Sequence, residues 1–336
     1  MKKTKQLNRS LSYDWKLETA NFTKDKGKVF TCFSCGGGSD MGYELAGFDV
    51  IGYNEIDPKM SEAYNANLTS KYQYVEPIQE FKKRKKFPKK LYKLDILGGS
   101  PPCSSFSLAG NREADWGKNK KFKEGQAEQV LDTLFFDFID VAKILQPKIV
   151  IAENVKGLLQ GAATKYLAKI YKEFDNAGYY CEHWLLNAAK MGVPQTRQRV
   201  FFVCIRKDIA EPFIYKKGFF KVGLKLDMNF NEREIPIKDF VKGKPKTEKQ
   251  NYLPNRFGDH ILNINESCPT LTTIDRYFLD KDTLVDDDSI SKIGSFPSDY
   301  VFPNMNKQYL IGMSVPPIVM AKISLRIYDQ ILKHIK

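Results

Sequence analysis

The chain has 336 residues, 42% of them hydrophobic and 13% aromatic, enough to bury a sizeable core and to exclude a mainly disordered chain. Lys plus Arg number 53 against 40 Asp plus Glu. That net +13 points to a polyanionic partner, nucleic acid before an anionic membrane surface, although a lysine-rich proteome alone also yields basic chains. The longest apolar runs, such as Val200–Ile205, are too short to span a bilayer, and Met1–Gln6 lacks the apolar core of a signal peptide. Six scattered cysteines (Cys32, Cys35, Cys103, Cys181, Cys204 and Cys268) read as free thiols of a reducing cytoplasm rather than a disulfide framework.

Residues 1–27 are a polar extension. The apolar run Val29–Ser34 predicts a first strand, ending in Gly36-Gly37-Gly38, and Ser39–Ala46 a helix stopped by Gly47. Asp49–Asn54 reads as a strand, Met60–Asn67 as a helix, and Leu94–Leu97 as a short buried strand. Helical spacing runs through Ala127–Leu145 (Val130, Leu134, Phe138, Val141, Leu145). Lys148–Ala152 predicts a strand, Thr164–Ala177 a helix, and Tyr179–Leu186 and Val200–Ile205 late strands. This rhythm predicts an α/β fold with a doubly wound, mostly parallel sheet, its ligands at the carboxyl ends of the strands. After Ile205 the rhythm breaks. Residues 207–262 carry twelve basic and eight acidic side chains with weak periodicity. We therefore expect a catalytic and cofactor-binding domain over 28–206, a smaller irregular domain over 207–275, and a return to the first domain over 276–336. Pro316–Ile335 closes the chain as a helix.

Four motifs carry chemistry. Phe33–Gly38 is a glycine-rich turn after the first strand, where backbone can approach a ligand, and Glu55 ends the second strand, placed to accept from both hydroxyls of a ribose. Cys32 and Cys35 also form a C-x-x-C. Zinc would need a second ligand pair and a redox pair usually starts a helix without three glycines, so we set both readings aside. Cys103 follows Gly98-Gly99-Ser100-Pro101-Pro102 at a strand end, a setting that fits a core residue poorly and a nucleophile well. Glu153 ends the strand Ile149–Ala152, where burial would let it keep a proton, though such a Glu can also merely cap a helix. Arg197 and Arg199 stand two apart in Gln195–Arg199, so on an extended segment both would face one site.

In order and spacing these motifs resemble the cytosine-5 DNA methyltransferase family from Val29 to the final helix. The resemblance adds Leu134-Phe135-Phe136, Phe296-Pro297 and Gly312–Pro317 as family blocks. It implies a Rossmann-like methyltransferase fold and S-adenosylmethionine as cofactor, held by Phe33, Cys35, Gly36, Gly37, Glu55, Ile56, Ile78, Pro102, Leu134, Ser314 and Val315. It also implies double-stranded DNA as partner and residues 207–275 as the target-recognition region. The expected setting is a monomer in a prokaryotic or phage-infected cytoplasm. The chain departs from the family where Cys35 replaces the first glycine of the cofactor turn. The acid expected at Pro77 is also absent (Glu76 lies one place early), and Met313 replaces an Asn. Leu279–Ile293 matches its block poorly.

The chemistry of the base asks for the same residues. Cytosine C5 is electron-poor until a thiolate adds to C6, the part for Cys103. The ring then needs a proton or hydrogen bond at N3, the part for Glu153. Arg199 would hold O2, and Arg197 would pin the glutamate or a phosphate. The target base must leave the duplex, with Ser104–Gln126 as the loop that closes over it. Two other functions compete: a tRNA cytosine-5 methyltransferase of the same fold, which shares Pro-Pro-Cys, and a catalytically silent DNA-binding member. A basic run from Lys82 to Lys93 holds eight cations. It could flank the DNA groove, or it could be a solvated connection facing away.

Overall fold

The computed structural model describes residues 11–102, 119–120, 129–130, 133–161, 163–217, 220–241, 258–280 and 282–335. Cys103, most of Ser104–Gln126, and 242–257 in the expected recognition region lie outside the described residues.

In chain order the elements begin β1 (Lys28–Cys32), α1 (Gly38–Leu45), β2 (Asp49–Glu55), α2 (Pro58–Asn67), β3 (Tyr72–Val75), α3 (Ile78–Phe81) and β4 (Ile96–Gly99). The short pair β5 (Asn119–Lys120) and β6 (Gln129–Val130) precedes α4 (Leu134–Leu145), β7 (Ile149–Val155), α5 (Ala163–Asn176), β8 (Tyr179–Asn187), β9 (Gln195–Thr196), β10 (Gln198–Arg206) and α6 (Lys207–Ala210). Then come β11 (Ile214–Lys217), β12 (Phe220–Leu224), β13 (Asp259–Ile261), β14 (Cys268–Pro269), β15 (Arg276–Phe278), α7 (Asp287–Ile293), α8 (Lys307–Met313) and α9 (Pro317–Gln330).

Seven strands form one sheet in the order β3-β2-β1-β4-β7-β10-β8. The first five run parallel; β10 runs antiparallel to both neighbours. The central strands are apolar without alternation because both faces are covered. One core, with Phe30, Leu97, Phe135, Phe138 and Ile170, lies under α3, α4 and α5. A second, with Val29, Ile96, Ile151 and Val203, lies under the closing helix α9 through Ile318, Ile323 and Ile327. A third, with Tyr53, Tyr64, Leu271, Ile293, Phe296 and Leu310, joins α1 and α2 to residues past 258. Gly42 lets α1 lie against α9, since a Cβ there would stand 2.5 Å from the Pro317 carbonyl oxygen.

Two expectations need correcting. The helix expected from Ala127 begins at Leu134; Gln129–Val130 pair as a strand instead. The free-thiol reading fails for one pair, because β8 and β10 set Cys181 opposite Cys204 and their sulfurs are joined. Lys307–His334 is long and apolar enough to cross a membrane by length and composition alone. Its apolar stretch is 72% buried, and α8 and α9 are separate helices broken at Ser314–Pro316, so it serves as core.

Candidate active site

The parallel strands end along one edge, and β10 starts there. Where β7 and β10 meet at that edge, Glu153 lies opposite Phe201, and Arg199 opposite Val155. Side chains two apart on paired strands share a face, so Glu153 and Arg199 are diagonal neighbours. Arg199 Nε stands 3.1 Å from Glu153 Oε1, and both side chains are largely buried. Burial pulls the Arg199 guanidinium down from its ordinary range, while the glutamate's charge holds it up. The next residue, Asn154, is 3% exposed. Its amide donates to the Pro101 carbonyl at 3.2 Å, and its own carbonyl accepts from Val155 N. The strand carrying Glu153 thus anchors the peptide two residues before Cys103.

Arg197 does not join this pair, which corrects the expectation that it pins the glutamate. The extended segment is broken at Arg197. Gln195 and Thr196 pair with β14, and the sheet resumes only at Gln198. Side-chain alternation across the break is lost. Arg197 is 5% exposed and donates to the carbonyls of Leu271 (3.3 Å) and Gly312 (3.2 Å). Burial pushes it down to about 9, and the like charge of Arg199 adds to this. It remains a cation at neutral pH and ties three distant segments together.

Further along the same edge, Glu55 ends β2 and is 7% exposed. Its Oε2 accepts from Cys35 N at 2.7 Å and its Oε1 from Asp57 N at 2.9 Å. A carboxylate has about four acceptor sites, so acceptor capacity remains beyond these bonds. Burial raises its pKa, and backbone donors at Asp57, Cys35 and Ile56 oppose that. Asp57 caps α2 through Lys59 N, with Pro58 in the first turn, which fixes where β2 stops.

The glycine turn also packs tightly against later parts of the chain. Phe33 and Cys35 hold left-handed backbone (φ 57° and 50°), as does Gly37 (φ 84°), the N-cap of α1. A Cβ on Gly36 would meet Leu310 and the Tyr300 hydroxyl; one on Gly38 would meet the Val315 carbonyl. These glycines are therefore required by protein packing, with the α8 region closing over the turn. Tyr300 donates to the Gly36 carbonyl at 2.6 Å. Ser314 lies 3.6 Å from the Cys35 sulfur and donates to Leu310. The structure so gathers Phe33, Cys35, Gly36, Gly37, Glu55, Ile56, Ser314 and Val315 at one end of the sheet. Ile78 and Leu134 are core residues, 3% and 0% exposed, at the starts of α3 and α4. Met313 is exposed, and Glu76 pairs with Arg84. Burial pushes the Cys35 thiol up to about 12 and raises Cys32 well above the ordinary thiol range, which removes reactive thiolate from the C-x-x-C. Among the described residues no group of three or more His, Cys, Asp or Glu could hold a metal.

Sequence reasoning did not assign the bonds of Asn154, Gln195 and Tyr300. Gln195 accepts from Leu271 N and donates to the Ile293 carbonyl. Asn154 directly follows Glu153 and Gln195 opens the Gln195–Arg199 motif, where a buried amide must find partners, so that signal was available. Tyr300 follows Phe296-Pro297 but meets a turn 264 residues away, which no local pattern shows.

A sequence model of the C-5 cytosine-specific DNA methylase family matches residues 27–283. The chain belongs to this family. Among relatives, the Type II methyltransferase M.FnuDI of Fusobacterium nucleatum is 39% identical over 182 residues, covering 54% of this chain and 48% of the relative. M.NgoPII of Neisseria gonorrhoeae is 34% identical, covering 71% and 63%. M1.HphI of Haemophilus parahaemolyticus is 27% identical, covering 87% and 84%. The match thus spans less than two thirds of the first two relatives. Among solved structures, a mutant of Spodoptera frugiperda DNMT2 superposes with a TM-score of 0.62 at 17% identity, covering 90% of this chain and 99% of that one. It shares the Rossmann-like fold of this family.

Proposed function

We propose that the chain is an S-adenosylmethionine-dependent DNA methyltransferase that acts on C5 of a cytosine turned out of double-stranded DNA. The observation that carries this reading is the buried Glu153–Arg199 pair at the sheet edge, on the strand whose Asn154 holds the Pro101 peptide ahead of Cys103. Family membership and Type II methyltransferase relatives support DNA over tRNA as substrate.

In this reading the Cys103 thiolate adds to C6 and leaves by elimination once a base has taken the C5 proton. Glu153 supplies a proton or hydrogen bond at N3 and accepts the exocyclic amine. Arg199 holds the glutamate and offers its remaining donors to O2, where charge develops. Arg197 keeps the Leu271 and Gly312 segments against this edge. S-adenosylmethionine, when bound, supplies an electrophilic methyl group. The residues present fit it: Glu55 has spare acceptor sites for a ribose diol, beside the left-handed turn at Cys35 and Gly37. Residues 207–275 serve as the recognition region, between 28–206 and the returning 276–336. Its described parts pack into the cores of the main body through Leu224, Met228, Ile237 and Leu271. The enzyme works as a cytoplasmic monomer in a bacterial or phage setting, and relatives come from both.

Duplexes carrying 5-fluorocytosine test the assignment, because the fluorine blocks the final elimination. The wild type is expected to leave a protein–DNA adduct that survives denaturation, and Cys103→Ala to leave none. An adduct that persists in Cys103→Ala overturns the nucleophile. Methyl label entering tRNA and not DNA overturns the substrate.

A further inference from the structure

The basic run divides in two. Its first three cations are answered by carboxylates. Lys82 lies 2.6 Å from Asp137 and 2.7 Å from Asp140, Lys83 2.8 Å from Glu80, and Arg84 2.7 Å from Glu76. The next five, Lys85, Lys86, Lys89, Lys90 and Lys93, are all exposed, and no acidic side chain among the described residues pairs with them. They are not on a loose loop. Phe87 (5% exposed) and Leu91 (0%) plug the segment into the core under α4, Phe87 packs on Phe81, and Lys89–Lys93 form a 3-10 turn. Five like charges within nine residues repel one another, and anchoring fixes them at close quarters where an unanchored run could spread apart. Such an arrangement is relieved by a polyanion that spans several of the charges at once.

The segment's place in the fold matters too. It leaves the carboxyl edge with α3 and re-enters the sheet at Ile96, the opposite end of β4. It therefore leads away from Glu153 and Arg199 along the α4 face. We infer that Lys85–Lys93 is a second docking strip for the phosphate backbone of double-stranded DNA, separate from the edge that takes the target base. The inference rests on the DNA reading above. It favours nucleic acid over a membrane surface because Tyr92 is the one exposed large apolar side chain in the segment, too little to insert into lipid. The backbone it grips belongs either to the flank of the bound duplex or to a second duplex.

The test compares the wild type with the quadruple variant Lys85→Gln, Lys86→Gln, Lys89→Gln, Lys90→Gln. A control removes two exposed lysines of α5 (Lys165→Gln, Lys172→Gln). Binding to a long duplex of random sequence is followed against salt. Each phosphate contact contributes a slope of about 0.9, so the quadruple variant should lose roughly two to four from its log–log slope, and the control far less. Equal slopes in wild type and quadruple variant overturn the inference. So does retention on phosphatidylserine vesicles, lost in the quadruple variant, with no change in the DNA slope. A further arm saturates the protein with a short duplex and adds a labelled second one. Retention of the second duplex by the wild type but not by the quadruple variant assigns the strip to a separate segment. A slope difference without such retention assigns it to the flank of the same duplex. The slope does not require turnover, so an inactive chain with the slope difference would sink the catalytic reading and leave the strip standing.

Discussion

The two halves of the sheet edge, the cofactor half and the base half of the proposed function, are held in different ways. On the cofactor half, backbone holds the carboxylate: amides of Cys35 and Asp57 donate to Glu55. On the base half, side chains do it: Arg199 on Glu153, and the Asn154 amide on Pro101. Backbone donors cannot be removed by substitution, and they carry no net charge. A side-chain pair can be broken by one change at either partner, and both partners then bear the consequence. The cofactor half should therefore absorb single substitutions as losses of stability or affinity, and the base half as losses of turnover.

The largest effect should come from Glu153→Gln. The amide keeps the size but cannot deliver a proton as a carboxylic acid does, and it leaves Arg199 without its counter-charge. We expect kcat to fall by about 10²- to 10⁴-fold with KM for DNA little changed, measured by methyl transfer to a saturating duplex. A drop of less than tenfold would show that the base half does not depend on this carboxylate.

The comparison also explains what was legible in the sequence. Strands such as Val29–Ser34 and Lys148–Ala152 could be placed to within a few residues because apolar runs end in glycine or acid where a parallel strand ends. Glu153 and Arg199 were legible because each sits at a strand terminus within a dense motif. Arg197 was misread because its spacing from Arg199 implied a continuous strand, and only the pairing of Gln195 with Cys268 reveals the break. The glycines were placed correctly, but their packing against Leu310 and Val315 was not legible, since those residues lie more than 270 positions on. The Cys181–Cys204 pair needed the register of β8 against β10, which composition does not contain. Local pattern finds chain direction and edges, whereas long-range register decides what each side chain touches.

The two arginines offer the next, smaller test. Lysine keeps the charge but loses the planar fork. Arg199→Lys should lower kcat by roughly ten- to a hundred-fold with little change in Tm. Arg197→Lys should do the opposite, since its two buried carbonyl contacts join distant segments. Charge-assisted hydrogen bonds of this kind are worth about 1.5–3 kcal/mol each, so Tm should fall by several degrees while kcat per folded molecule stays within a few-fold of wild type. Thermal melts and active-site-titrated rates on both variants would settle it. The reversed pattern would place Arg197 on the base.

The smallest expected effect lies behind the glycine turn. Asp40, in the first turn of α1, is 0% exposed and accepts from Thr31 Oγ1 at 2.9 Å. Burial pushes its carboxyl up to about 7 against the pull of that hydrogen bond. An unfolded aspartate titrates near 4. Between about pH 4 and pH 7 the unfolded chain has lost this proton while the folded chain keeps it, so the folded state binds more protons and stability falls as pH rises. Above about 7 the penalty is constant. Asp40→Asn is neutral throughout and retains an oxygen for Thr31. Its Tm should therefore decline less than the wild type's from pH 5 to pH 7 and exceed it at pH 8. Parallel Tm curves would mean that Asp40 is already ionised in the folded protein at pH 5. The divergence, if seen without a matching change in the pH profile of kcat, would show that protonation on the cofactor half acts through the fold alone, the counterpart of a base half whose carboxylate acts through turnover.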